Sequence, residues 1–247
     1  MQNQNRRAIV LIACLLVAIS LLIYSIHYFA FNNIHDLVFY TVMDLAFLPL
    51  QVLIVGIIVE RILTGREIAE KISKLNMVVG AFFSEIGNTL SRILLEAASD
   101  RNAAIVKFNV HAGWKSEDFK RAQSFASTDD SVSFSSLDLG SLQHLLVSKR
   151  QFMLTLIENP NLLEHERFTD LLLSVFHLTE ELESRPTLSN LPPNDLAHIY
   201  GDIRRAYKNL VIEWLDYMQH VKSNYPFLYS HFVRTHPFQP NPSAIIE

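Results

Sequence analysis

Ten histidines and a single cysteine set the chemistry this chain can attempt. Cys14 lies in an apolar run and cannot serve as a cytosolic nucleophile. The segment Asp195-Leu-Ala-His198, with Asp202 one turn further, places two carboxylates and an imidazole on one helix face. Asp216-Tyr-Met-Gln-His220 is a second acid–imidazole pair, and His177 follows Asp170 by two turns. Carboxylate and imidazole together are the ligands of zinc and of other first-row metals. A di-metal bundle, however, needs ExxH on two helices and further Glu on two others. No ExxH occurs, and Asp195, His198 and Asp202 lack the ligands from a second helix that complete a site. The expectation is therefore weak metal binding, with no cofactor and no catalytic residue assigned. Phosphate-binding glycine loops, the GxSxG elbow and HExxH are all absent.

The elements that must position these residues divide the 247-residue chain unevenly. Nearly all continuous apolar sequence lies before residue 60. Ala8–Phe31 and Leu37–Val59 each exceed the roughly 20 residues needed to cross a bilayer as a helix. The first is too long for a signal peptide core and has His27-Tyr28-Phe29 where small cleavage-site residues should be. Asn32–Asp36 reads as the turn of a hairpin. Arg6 and Arg7 precede the first span. Arg61, Arg66, Lys71 and Lys74 follow the second, and the turn has no basic residue. The positive-inside rule then puts both termini in the cytoplasm, in a multi-pass protein of the cell membrane.

Asp44 is the one acid in these spans, and folding the hairpin brings it level with Tyr24. An intramembrane carboxylate can serve an ion pathway in an oligomer. The simpler reading is a carboxyl hydrogen-bonded to Tyr24 or Ser25. Pro49, five residues on, is expected to kink the helix.

Beyond the second span no proline interrupts Glu60–Ala98. Ile68, Ile72, Leu75, Val79, Phe82, Ile86, Leu90 and Ile93 recur at helical spacing. Gly80, Ser84, Gly87 and Ser91 form a second row of small residues. Interior glycine costs a helix about 1 kcal/mol relative to alanine, so this row is expected to be a seam approached closely by another helix of the bundle or of a second copy. On that reading Gly87→Leu overpacks and Gly87→Ala is better tolerated. Ser99–Lys115 reads as irregular, Ser116–Ala126 as a helix, and Ser127–Ser136 as a polar, phosphorylatable loop. Helices are expected over Leu137–Glu158, Leu163–Glu183, Asp195–Lys222 and a short aromatic stretch after Pro226. Seven glycines are few for an all-β fold.

Phe82-Phe83-Ser84-Glu85-Ile86-Gly87, Tyr225-Pro226-Phe227-Leu228-Tyr229-Ser230 and Arg234-Thr235-His236-Pro237-Phe238 resemble blocks of an uncharacterised family of small bacterial membrane proteins. The resemblance implies two N-terminal transmembrane helices and a helical cytosolic domain, and implies no activity. The reading is an all-α protein: a transmembrane hairpin over 1–59, a cytosolic helical bundle over 60–236 and an extended tail over 237–247. Its expected role is a membrane-anchored binding or signal-relay module. Two other classes stand beside it: an oligomeric ion-conducting protein using Asp44, and a metal-dependent enzyme in the bundle. The expected partners are the lipid bilayer, a cytosolic protein and a second copy of the chain. A net charge of −4 gives no reason to expect nucleic acid.

Overall fold

The computed structural model describes residues 2–31, 33–128, 132–134, 137–159, 162 and 165–245, and their side chains except 2–10, 13, 31 and 66–73. Arg6, Arg7, Arg66 and Lys71, used above for orientation, therefore lie with their side chains outside the described residues. So do Ile68 and Ile72 of the apolar row, and Asp129, Asp130, Ser131, Ser135 and Ser136 of the polar loop. The described chain is helical, with no strand, and forms two compact units, Met1–Ile68 and Ala69–Glu247.

The first unit contains α1, Gln2–Phe31, and the beginning of α2, Ile34–Phe82. Asn33 makes the turn: its Oδ1 accepts the His35 amide at 3.1 Å, and its Nδ2 donates to Asp36 at 2.7 Å. This is the side-chain capping that a helix start needs, so α2 begins three residues earlier than the apolar run suggested. Pro49 is accommodated within α2. Ile34–Gly65 is long and apolar enough to cross a membrane, and none of its apolar window is buried; Cys14–Ala30 is a shorter apolar helix. Lys74–Ala97 passes the same test of length and composition, but half of it is buried, as in the core helix of a bundle.

In the second unit, α2 buries Leu75, Val79 and Phe82 and then passes into a π turn, Phe83–Gly87, closed by the Asn88 amide on the Phe83 carbonyl. The helix resumes as α3, Asn88–Ala97, which buries Leu90, Ser91, Leu94 and Leu95. On an uninterrupted α-helix, at about 100° per residue, Ile93 would share the face of Leu75, and Leu95 would sit roughly 200° away. The extra residue of the π turn takes back about one residue of rotation. Leu94 and Leu95 thereby enter the core, and Ile93 is left half-buried.

The same rotation divides the small-residue row. Gly80 is half-buried and Ser84 exposed, whereas Gly87 and Ser91 are buried. A Cβ at Gly87 would lie 2.6 Å from Phe83 Cδ1 and 3.0 Å from Phe82 Cε1. One at Gly80 would meet only the end of a side chain, the Tyr217 hydroxyl at 2.7 Å. The space at Gly87 is thus filled by rings of its own helix. Gly87→Ala should destabilise the bundle by about 1–2 kcal/mol, because two buried rings must move. Gly80→Ala should be close to neutral, since Tyr217 can swing and alanine favours the helix. Urea unfolding of the two variants side by side checks this.

The remaining helices are α4, Arg101–Phe108; α5, Ser116–Thr128; α6, Leu139–Ser148; α7, Arg150–Ile157; α8, Glu166–Glu183; α9, Pro193–Asn224; and α10, Pro226–Thr235. Two differ from the expectation. The stretch read as irregular holds α4, which buries just Ala104 and Phe108, too few positions for a periodic signal. The helix read over Leu137–Glu158 is two, divided at Lys149, whose φ −103° and ψ 3° leave the helical region. Lys149 Nζ there reaches Glu85 at 2.9 Å.

Helix α9 is the bundle's centre, with α8 and α5 packed along it. Ile199, Ile203, Ala206, Leu210 and Trp214 are buried along its length. The tail expected to be extended contributes Phe238, which is fully buried against Trp214 and Phe108. The loop after α4 is fastened by α9, α10 and the turn after them. Tyr229 donates to the His111 carbonyl at 2.8 Å, Lys222 to that of Ala112 at 2.7 Å, and His236 Nε2 to that of Val110 at 3.0 Å.

Candidate functional site

The core rows of α8 and α9 fix which polar residues meet between them. Leu178 and Leu182 on α8 and Ile199 and Ile203 on α9 are fully buried. Their immediate neighbours, His177 and Glu181 on one helix and His198 and Asp202 on the other, fall at the margin of the same interface. Each pair is four residues apart, so both members lie on one face. Asp202 Oδ2 lies 3.3 Å from His198 Nε2 and 3.6 Å from His177 Nε2. Glu181 lies 3.5 Å from His198 Nε2 through one oxygen and 3.9 Å from His177 Nε2 through the other. The Asp202 side chain is 3% exposed, while the two imidazoles are about half exposed, so one side of the cluster opens to solvent.

Two guanidinium groups hold the carboxylates from behind. Arg205 meets the outer oxygen of Asp202, Oδ1, at 3.1 Å. Arg185 meets Glu181 at 2.9 Å and grips Asp195 with two bonds, of 2.9 and 2.5 Å. The Arg185 hydrogen bonds hold both the Glu181 and the Asp195 carboxyls below the ordinary range, and the guanidinium itself is pushed up, first by Asp195. Asp195 is thus engaged with Arg185, and the acids beside His198 are Asp202 and Glu181. The grouping differs from the sequence reading in another way. His177 faces Asp202 and Glu181 across the helix pair, so a second helix supplies ligand-type atoms. No linear motif connects residues 177 and 198, and the relation emerges only once α8 and α9 are paired.

The other acid–imidazole pair is not brought together. Asp216 engages Arg167 and Gln123, and His220 packs beside Tyr225 and Asn224. Two polar groups overlooked in sequence sit in the core. Glu213, 1% exposed, has Oε1 3.6 Å from His165 Nε2. Burial, reinforced by the nearby Asp216 carboxylate, pushes its carboxyl up to about 8. A glutamate between Leu210 and Trp214 in an apolar helical row was the available signal. His236, buried beside Trp214, is pushed down to about 4 by burial.

Within the first unit, Asp44 and Tyr24 line one groove, together with Ser20, His27, Leu37 and Tyr40. Ser25 turns away from it, donating to the Leu21 carbonyl at 2.7 Å. Asp44 therefore shares its surroundings with a phenol and an imidazole.

Architecture and sites define an all-helical protein of two units, an apolar hairpin and a bundle with a histidine–carboxylate cluster between its two longest packed helices. Comparison with known proteins gives the same division. The chain belongs to the MJ1433 family: residues 3–63 match the description "MJ1433, N-terminal helical domain", and residues 71–234 match "Uncharacterized protein MJ1433, C-terminal helical domain". It is 43% identical over 244 residues to the uncharacterized protein MJ1433 of Methanocaldococcus jannaschii, covering 98% of both chains. That relative is archaeal, whereas the sequence blocks had suggested bacterial kin. No solved structure matches the chain.

Proposed function

We propose that this protein is a membrane-anchored helical relay or binding module, with the hairpin in the bilayer and the bundle in the cytoplasm. The observation that carries the reading is the composition of α2. It is mainly apolar with no buried residue through Val59, and it is buried at Leu75, Val79 and Phe82. One helix thus supplies both a candidate span and a core element of the bundle, so a change in the span has a covalent route to the core. Six Lys and Arg residues flank the outer ends of the hairpin and none lies in its turn, which supports cytoplasmic termini.

Reporter fusions at residue 3 and after Glu247 should both register as cytoplasmic. An external signal from either would remove the membrane topology on which the reading stands. The relay is tested in the same full-length protein, placed in bilayer discs. Asp44→Asn should alter amide exchange through Leu75–Leu95; unchanged exchange there would leave an anchor with no relay.

A further inference from the structure

We propose that His177, His198 and Asp202 bind one divalent transition-metal ion across α8 and α9, with zinc the best match. The donor set is two imidazoles and one carboxylate, with Glu181 beside them and no thiolate, which suits zinc and its first-row neighbours and not calcium or magnesium. The spacing fits as well. Ligand atoms about 2.0–2.1 Å from a tetrahedral zinc stand roughly 3.3–3.4 Å from one another. Here the single oxygen Oδ2 of Asp202 stands 3.3 Å from His198 Nε2 and 3.6 Å from His177 Nε2. The selected donor atoms of His177, His198 and Asp202 all lie within 4.8 Å of one another.

Asp202 supplies an independent observation. Its Oδ2 is buried and accepts no hydrogen bond, although Oδ1 is held by Arg205. A buried carboxylate oxygen without a donor is costly, and this one faces two imidazole nitrogens. A metal ion in the gap would satisfy it. Arg205 then acts as an outer support, holding Asp202 through its far oxygen, Oδ1, while Arg185 holds Glu181 by Oε2, the oxygen that also faces His198. Asp195 anchors Arg185 and neutralises it. With neutral imidazoles, the three carboxylates outweigh the two guanidinium charges by one, so the cluster attracts a dication. The half-exposed rings leave one side to water, which suits an ion that exchanges.

The test uses the full-length protein in detergent, stripped by a chelator and titrated calorimetrically with Zn²⁺. One ion per chain should bind, and Co²⁺ in its place should show the intense visible bands of tetrahedral coordination. His177→Ala and His198→Ala should each weaken Zn²⁺ binding by more than about 100-fold, beyond the effect of losing an outer support. Asp202→Asn, nearly isosteric, should weaken it at least about 10-fold. His220→Ala, on the same helix as His198 and outside the cluster, should change nothing. Far-ultraviolet dichroism without metal confirms that each variant is folded. Absence of stoichiometric binding would overturn the proposal and make the cluster a set of ion-paired histidines. Binding that survives both histidine variants would overturn it equally, since the ion would then sit elsewhere.

Discussion

Phe82→Ala is expected to cost the bundle about 3–5 kcal/mol, the range for truncating a buried phenylalanine. Phe82 is fully buried and packs edge-on against Phe168 of α8 at 5.6 Å and against Phe83 at 5.5 Å. Removing the ring leaves a cavity where α2 enters the core, and neither neighbouring ring can fill it without tilting away from its own contacts. Met77, one turn and a half earlier, is 63% exposed, so Met77→Ala should change stability by under about 0.5 kcal/mol. Both tryptophans, Trp114 and Trp214, lie in the second unit, so fluorescence-monitored urea unfolding of the whole chain reads the bundle alone. A loss below about 1 kcal/mol for Phe82→Ala would mean that α2 is peripheral to the bundle, and the proposed relay through α2 would lose its footing.

The second large effect is a pH dependence centred on Glu213. Its carboxyl titrates at about 8 in the fold against 4.5 when free. The folded protein therefore holds the proton more tightly than the unfolded chain. The sign follows from that: this contribution to stability is complete below pH 4.5 and is lost as pH rises through about 8. Within that window the loss approaches about 1.4 kcal/mol per pH unit. The groups facing Glu213 are His165, Asp216 and Arg167, of which Asp216 pushes it up and Arg167 pulls it down. Glu213→Gln keeps the shape without the titration, so its unfolding midpoint should be nearly flat from pH 6.5 to 8.5 where the parent's falls. An equal fall in both proteins would assign the slope to another group. His236 works in the opposite sense. It titrates near 4 in the fold against 6.5 free, so its contribution is lost as pH falls from 6.5 toward 4. The two opposing trends leave stability greatest at mildly acidic pH.

What the sequence made legible was whatever has a local physical signature. Pro226 marks the start of α10, and α8 and α9 begin and end within three residues of the helices expected over Leu163–Glu183 and Asp195–Lys222. The apolar hairpin stood out by length. The missed features lack such signatures. A π turn adds one residue to a helix without any special residue type, so the row from Leu75 was extended straight to Ile93, and Leu94 and Leu95 were overlooked. The break at Lys149 has neither proline nor glycine. The histidine cluster depends on the phase of one helix against another: Asp195, His198 and Asp202 share a face in sequence, and only the pairing of α8 with α9 brings in His177 and Glu181 while Arg185 claims Asp195.

The π turn at Phe83–Gly87 also sets how the length of this segment can change. A π turn has the size of a single-codon insertion in an α-helix. Deleting one residue there would let the chain close into continuous α-helix with α3 in its present phase, so Leu94, Leu95 and Ser91 would keep the core they now join. A further inserted residue, with no second π turn to absorb it, would instead turn α3 by roughly 100° and swing those residues away. A one-codon deletion in this turn is therefore easier to accommodate than a one-codon insertion.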